Sequence, residues 1–414
     1  MRVAAALPPR RHVLNACADR YRFTVGFAAS LVADKVSLLP STHTPEVIRQ
    51  LTEFAPDVFC LTDDARCQID LPRVRFPDLV PGETVPWRPV EIEHDRLAAY
   101  VFTSGSTGTP LPYKKTWGRL VNCVRFEAQR LGLLDGRPHA IVGTVPPQHM
   151  YGFESTVLVA LQSGNAFSAG RPFYPADVCS ELASVPQPRM LVSTPVHLRT
   201  LIGSDVHLPS ADLVLSATAP LSQNLAREVE QRFETRLLEI YGSTETGQIA
   251  SRRTAREVEW QLFEGVRLFS EGGETRAEGG HVEQPTPMCD VLEVTSADRF
   301  LLHGRLSDLV NIAGKRSSLS YLNHQLNAIA GVVDGAFFLR EPEEGSSAGV
   351  TRVAALVVAP TLDAAALTEQ LRKRIDAVFM PRPLLFTDSL PRNDTGKLPH
   401  DALRSLAATA MKRT

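Results

Sequence analysis

Apolar and polar positions along this chain change period repeatedly, and the changes mark its elements. Residues 23–31 and 44–54 carry helical patterning, and 57–61 is a short continuous apolar run that reads as a buried strand. A strand at 98–103 leads into a glycine, serine and threonine loop. In 117–131 the apolar positions Trp117, Leu120, Val121, Val124 and Leu131 fall at helical spacing. Strands are expected at 140–145, 190–193, 213–216 and 237–240, and helices at 153–161, from Pro195, and at 222–233. Pro195 suits the first turn of its helix, because its missing N–H would have no partner there. Strands alternating with helices imply a mostly parallel sheet covered on both faces, with ligands at the carboxyl ends of its strands. Beyond Gly247 the runs shorten and glycine pairs and Pro285-Thr-Pro interrupt them, which predicts a small β-rich subdomain over about 248–304. A helix at 319–329, strands at 336–339 and 353–358 and a helix at 362–378 form a last α/β unit. The expected class is therefore α/β. A large lobe, 1–306, carries parallel sheets and the β-rich subdomain, and a small α+β lobe, 307–414, follows it.

Composition narrows the function classes. The 414 residues are 43% apolar and 22% charged, with a formal net charge of −2. No basic arm or stripe offers a surface to nucleic acid. The six cysteines (Cys17, Cys60, Cys67, Cys123, Cys179 and Cys289) include no Cys-x-x-Cys pair. That argues against a zinc site and a disulfide framework, and suits free thiols in a reducing compartment. The eleven histidines show no metal-ligand spacing. The apolar run at the N-terminus is too short for a signal peptide, and no stretch approaches the roughly 18 apolar residues of a membrane span. A soluble, cytoplasmic protein with no membrane partner is expected.

The candidate chemistry lies at strand ends. In the loop after Thr103, formed by Ser104, Gly105, Ser106, Thr107 and Gly108, backbone N–H groups and hydroxyls can donate to phosphate, and glycine permits close approach. No Gly-Lys-Ser/Thr closes it, so it is not a Walker loop. A Ser/Gly turn without a ligand is the alternative. Tyr241-Gly-Ser-Thr-Glu245 ends another strand. There Glu245 suits Mg²⁺, which takes one or two carboxylates plus phosphate oxygens, or it simply caps a helix. Asp290 can bind both hydroxyls of a ribose or serve as a turn residue. Arg305 fits phosphate or ribose binding, or an exposed salt bridge. Lys397, alone after a glycine turn, has the look of an exposed lysine.

In order along the chain these segments resemble the adenylate-forming superfamily of acyl-CoA synthetases, peptide-synthetase adenylation domains and luciferases. The loop 103–110 is similar to its phosphate loop, and Pro146-Pro-Gln-His149-Met-Tyr-Gly152 to its Pro-x-x-His-x-x-Gly acyl-pocket motif. Ser216-Ala-Thr-Ala-Pro220 is similar to the adenine-facing segment, and Tyr241-Gly-Ser-Thr-Glu245 to the Tyr-Gly-x-Thr-Glu motif. Asp290, Gly304-Arg305 and Gly314-Lys-Arg316 match the ribose, hinge and post-hinge positions. Pro391–Leu398 resembles the Pro-Arg-Thr-x-x-Gly-Lys motif. Within the superfamily, Val13-Leu-Asn, Tyr21-Arg-Phe-Thr-Val-Gly-Phe27 and Ser37-Leu-Leu-Pro40 resemble the short aryl-acid ligases of xanthomonadin and aryl-polyene pigment pathways.

The resemblance implies an AMP-forming ligase. It would activate an aryl acid, 3-hydroxybenzoate or a similar hydroxybenzoate, to acyl-AMP. It would then pass the acyl group to the thiol of CoA or of a carrier-protein phosphopantetheine, which makes an acyl carrier protein a conceivable partner. By the same resemblance the 103–109 loop holds the β- and γ-phosphates of ATP. Ser216, Ala217, Thr218, Tyr241, Gly242 and Ser243 line the nucleotide, and Thr244 meets an α-phosphate oxygen. Glu245 holds Mg²⁺, Asp290 takes the ribose hydroxyls with Arg305, and Lys397 bridges the acyl carboxylate and the α-phosphate. His149, Tyr151, Gly152, Ala217 and Gly242 form the acid's pocket. No Phe-Asp pair grips an α-amino group there, and Glu154 is expected to be helical, which disfavours an amino-acid substrate.

Three departures stand out. The loop ends Pro110-Leu111-Pro112 where the family has Pro-Lys-Gly, so Lys114 or Lys115 is the candidate replacement. The hinge acid position holds Ser307, with Asp308 next. The region before the loop is short. A fatty-acid-activating ligase and a non-catalytic nucleotide-binding regulator remain as alternatives. Retention of Glu245, Asp290, Arg305 and Lys397 together favours the ligase.

Overall fold

Two sheets, one largely parallel and one half parallel, organise the large lobe. The computed structural model describes residues 1–40, 42–78, 89–103, 111–272, 274–305, 309–312, 315–339, 352–393 and 398–411. In the six-stranded sheet the order is Arg73–Arg75, Phe59–Thr62, His12–Asn15, Val36–Leu39, Leu97–Thr103 and Leu111–Thr116. All neighbours are parallel except the last pair. The runs Val36–Leu39 and Phe59–Thr62 are wholly buried, as strands covered on both faces must be. The second sheet has nine strands. Its parallel half runs Ala166–Phe167, Ala140–Gly143, Arg189–Ser193, Leu213–Ser216 and Arg236–Ser243.

The strands of the turn-rich region divide between two sheets. Gly247–Arg252, Trp260–Leu262, Arg299–Arg305 and Asp290–Ser296 extend the nine-stranded sheet antiparallel. Only Val266–Glu271, Glu274–Gly279 and Val282–Pro287 form a sheet of their own. Gly272 and the pair Gly279-Gly280 sit at hairpin turns, but turn spacing carries no information on which sheet a strand joins.

Helices Arg20–Val32 and Trp117–Leu131 pack into the main core. The second is bounded as its pattern predicts. The Thr116 hydroxyl accepts from the Arg119 N–H at its start, and Gly132 ends it in the left-handed region at φ +72°. Phe27 and Phe153 meet edge to face with ring centroids 4.8 Å apart. Arg20, 1% exposed, is the polar clamp of this core. Its guanidinium donates to the carbonyls of Gly143 and Val145 (both 2.9 Å), Ser168 (3.0 Å) and Gly170 (2.6 Å). It thereby fixes the strand end that leads into Pro146-Pro147.

The small lobe has its own apolar clusters, one around Phe337, Leu322 and Leu371 and one around Leu356, Leu385 and Leu403. It contains the hairpin Leu309–Ile312/Lys315–Ser318, helix Leu319–Asn327, and a sheet of Asp334–Leu339, Val353–Val358 and Leu384–Phe386. The helix expected over 362–378 is shorter, Ala364–Arg372, because Asp376 caps a separate 3-10 turn, Ala377–Phe379. A terminal helix, His400–Met411, and the strands His12–Asn15, Val36–Leu39, Leu111–Thr116 and Leu384–Phe386 were not marked by the hydropathy pattern. Among the described residues no helix is long and apolar enough to cross a membrane. The six cysteines are free thiols.

Candidate active site

One cavity of about 750 Å³ opens over the carboxyl ends of the parallel strands of the large sheet. Leu213–Ser216 delivers Ala217 and Thr218 to it, and Arg236–Ser243 delivers Tyr241, Gly242, Ser243 and Thr244. From the turn after Ala140–Gly143 come His149 and Tyr151. Asp290 enters from the antiparallel side, and Ser318, Tyr321 and His324 enter from the small lobe.

Several candidate residues thus converge although they are far apart in sequence. The Tyr241 hydroxyl donates to Asp290 Oδ2 at 2.6 Å. The Tyr241 ring packs against the stacked pair Trp260 and Phe300, each with its centroid 5.5 Å away. The Tyr151 hydroxyl donates to the Ser193 carbonyl at 3.1 Å, so its ring rather than its hydroxyl serves the cavity. Glu245 is half-buried beside Thr244 and outside the lining. Gly152 and Ser216 are buried beneath the surface. Thr103 ends its strand opposite Leu111, and Arg305 ends its strand opposite Asp290. Ser104, Gly105, Ser106, Thr107, Gly108, Ser307, Asp308, Gly314 and Lys397 lie outside the described residues.

Local chemistry explains three of these positions. A Cβ on Gly242 would lie 2.2 Å from the Gly247 carbonyl oxygen, where the register between the two strands shifts. A Cβ on Gly152 would lie 2.1 Å from the Pro146 carbonyl oxygen, so only glycine lets this turn fold back on Pro146. Thr218 has φ +80°, an outlier for a β-branched residue. Such strain persists where the surroundings over-determine it, as in ligand clamps. Nothing in the sequence around Thr218 announces it.

Behind the Thr244–Glu245 turn lies a buried charged cluster that sequence reasoning missed. The Lys115 ammonium donates to the Thr244 carbonyl, and Arg119 donates to the Glu245 carbonyl. Lys115 is 1% exposed, whereas Lys114 is exposed. Of the two candidate replacements for a loop lysine, Lys115 is therefore committed to the turn. Burial, and then the repulsion of Arg119, lower the Lys115 pKa to about 8. Glu154 faces it, and Glu127 lies next to Glu154. Burial raises the pKa of both, Glu127 to about 8. Nearby Lys115 and Arg119 favour charge on Glu154, so Glu127 is the carboxyl that keeps its proton near neutral pH. His281 is pushed down to about 3 by burial and then by Arg119 and Lys115, which keeps it neutral.

This arrangement has a stability consequence. Folded Glu127 holds a proton that the unfolded chain releases above the ordinary carboxylate range. Stability contributed by Glu127 is therefore complete below pH 4.5 and is lost as the pH rises toward about 8. Urea melts of Glu127→Gln should lack that part of the slope. A variant with the same slope as the parent would show that Glu127 is ionised in the fold.

Among the described residues no group of three or more His, Cys, Asp or Glu side chains could hold a metal ion. The single carboxylate of Glu245 at a strand end is the donor set Mg²⁺ accepts when phosphate oxygens and water complete its shell. The site thus fits a metal that arrives with a nucleotide.

Comparison with known proteins gives the following. The model of the family described as AMP-binding enzyme matches residues 6–287. A 4-coumarate--CoA ligase of Rhodobacter capsulatus is 29% identical over 299 residues, covering 71% of this chain and 73% of the relative. A 4-coumarate--CoA ligase of Halorhodospira halophila is also 29% identical, over 314 residues, covering 72% and 73%. Among solved structures, ATP-bound MatB from Rhodopseudomonas palustris superposes with a TM-score of 0.81 at 19% identity, covering 98% of this chain and 91% of MatB. The anthranilate CoA ligase AuaEII in complex with anthranoyl-AMP superposes with a TM-score of 0.81 at 14% identity, covering 99% and 91%.

Proposed function

The chain belongs to the AMP-binding enzyme family and is an AMP-forming acid–thiol ligase, and from that premise we propose that its acid is aromatic, a hydroxybenzoate such as 3-hydroxybenzoate. The observation that carries the reading is the continuity of the cavity. It runs from Asp290 and Tyr241 to His149 and Tyr151, so nucleotide-type and acid-type linings share one space. The 4-coumarate ligases among its relatives support an aromatic acid. CoA is the simplest thiol acceptor, and a carrier-protein phosphopantetheine presents the same attacking group.

The residues divide the work as follows. Asp290, oriented by the Tyr241 hydroxyl, takes the ribose hydroxyls together with Arg305. Ala217 and Thr218 flank the adenine, and Thr244 donates to an α-phosphate oxygen. The loop of Thr103 to Gly108 cradles the β- and γ-phosphates. Glu245 would hold Mg²⁺, which supplies charge neutralisation for the phosphates. His149, Tyr151 and Gly242 bound the acid. Its carboxylate attacks the α-phosphorus, the bond to the bridging oxygen breaks, and pyrophosphate leaves with the electron pair. Both reactants are anions, so preorganised donors on the phosphates are the main aid to the step. Lys397, on the lobe of residues 307–414, bridges acid carboxylate and α-phosphate. That lobe then turns to admit the thiol, whose sulfur displaces AMP from the acyl carbon.

Pyrophosphate exchange with a panel of hydroxybenzoates, cinnamates and fatty acids tests the substrate class. Hydroxybenzoates should exchange fastest, and a preference for fatty acids would overturn the reading. Asp290→Ala should raise the KM for ATP by about tenfold or more, the worth of charge-assisted hydrogen bonds to a ribose. The KM for the acid should hardly move. Equal changes in both constants would remove Asp290 from the ribose.

A further inference from the structure

Glu154 has no part in the steps above, yet its position is unusual for a carboxyl group. It lies in the π-helical turn Phe153–Leu158 that follows the His149–Gly152 segment. Turns of this kind re-aim side chains and recur at functional sites. Glu154 is 2% exposed and still lines the cavity, on the side of His149, Tyr151 and Gln248. The wider turn is why a helical reading of this stretch put Glu154 out of play.

Its hydrogen bonding is incomplete in strength. A carboxylate offers about four acceptor sites. The Cys123 thiol reaches Oε1 at 3.5 Å, and a thiol is a weak donor. The Gln248 amide is shared with Glu127. When its oxygen accepts from the Ser155 hydroxyl at 2.9 Å, its nitrogen donates to the two Glu127 oxygens at 3.2 and 3.3 Å. Lys115 and Arg119 favour charge on Glu154 through their field, while their own hydrogen bonds run to the carbonyls of Thr244 and Glu245. The acid side of the cavity therefore presents a buried carboxyl whose hydrogen-bond donors are a weak thiol and an amide shared with Glu127.

We propose that Glu154 selects the acid, by accepting a hydrogen bond from a hydroxyl or amino group on its aromatic ring. The proposal rests on the aromatic-acid reading and deepens it. A ring without a donor would leave the free acceptor sites of the carboxylate facing an apolar edge. A ring hydroxyl or amine gives them a charge-assisted bond. Sites built around such a bond reject an analogue lacking the donor far more strongly than an apolar pocket rejects an added hydroxyl.

The test compares kcat/KM for pyrophosphate release with benzoate and with the 2-, 3- and 4-hydroxy- and aminobenzoates. For the parent enzyme the best donor-bearing acid should exceed benzoate by at least about tenfold. Glu154→Leu should bring that ratio to within about threefold, chiefly by a gain on benzoate, with the KM for ATP unchanged. Glu154→Gln keeps an acceptor without charge and should fall between. It decides the matter if the leucine variant does not fold. Parent-like ratios in the variants, or a parent that uses benzoate as well as any hydroxybenzoate, would overturn the role of Glu154 alone. A parent that activates only fatty acids would instead remove the aromatic-acid reading, and this proposal with it.

Discussion

Replacing Lys397 by alanine is expected to slow pyrophosphate release by about 10²–10³-fold, the usual cost of losing one preorganised donor to a developing charge. The same variant should still convert supplied aryl-AMP and thiol into thioester at close to the parental rate. The two half-reactions need different faces of the small lobe, and the ammonium acts only while carboxylate and α-phosphate approach each other. Lys397 itself lies outside the described residues, but its flanks are anchored. Arg392 makes a paired contact with Asp334, Nε to Oδ2 at 2.7 Å and an Nη to Oδ1 at 2.8 Å. Arg199 of the large lobe approaches the same Asp334 at 3.9 Å. Leu390 and Leu398 pack on one cluster beside the small sheet. Single-turnover assays of each half-reaction check the expectation. Equal loss in both would count against an adenylation-specific lysine.

Lys115→Met is expected to destabilise the fold by on the order of 3 kcal/mol, the cost of leaving a buried opposite charge without its cation. Methionine is close to lysine in volume, so packing changes little and the electrostatic part dominates. The variant also frees the Thr244 carbonyl, and activity should fall more than stability at low temperature implies, because the turn carries Thr244 and Glu245. The check is a double-mutant cycle by chemical denaturation. Adding Glu154→Gln to Lys115→Met should recover part of the loss, since no unpaired charge then remains. Strict additivity of the two variants would mean that Lys115 and Glu154 do not sense each other.

How much of this was legible beforehand differs by element. The helix Trp117–Leu131 coincides with its predicted bounds, because an apolar stripe, a threonine cap and a terminal glycine all agree. The strand Leu213–Ser216 was equally plain as a short buried run. Strand Leu111–Thr116 was not, since five of its six residues remain at least partly exposed and no alternation shows. Glu127 gave a signal that went unused. It occupies a position on the stripe of Leu120, Val124, Ala128 and Leu131, where a charged residue has to be paired or neutral. Glu154 gave none, because a π-turn shifts the facing of a helix without changing its composition.

The amino-acid sequence by itself determined the α/β class, the order of motifs and the residue types at the strand ends. Those are properties of local pattern: period, caps, turns and the donors or acceptors a short segment can offer. Tertiary structure alone decided that Tyr241 orients Asp290 across 49 residues, that Lys115 and Arg119 stand behind the Thr244–Glu245 turn, and that Glu154 faces the cavity. Each of these is a contact between segments far apart in the chain. Its geometry depends on sheet order, register and a single irregular turn, and its electrostatics depend on burial that no local window contains.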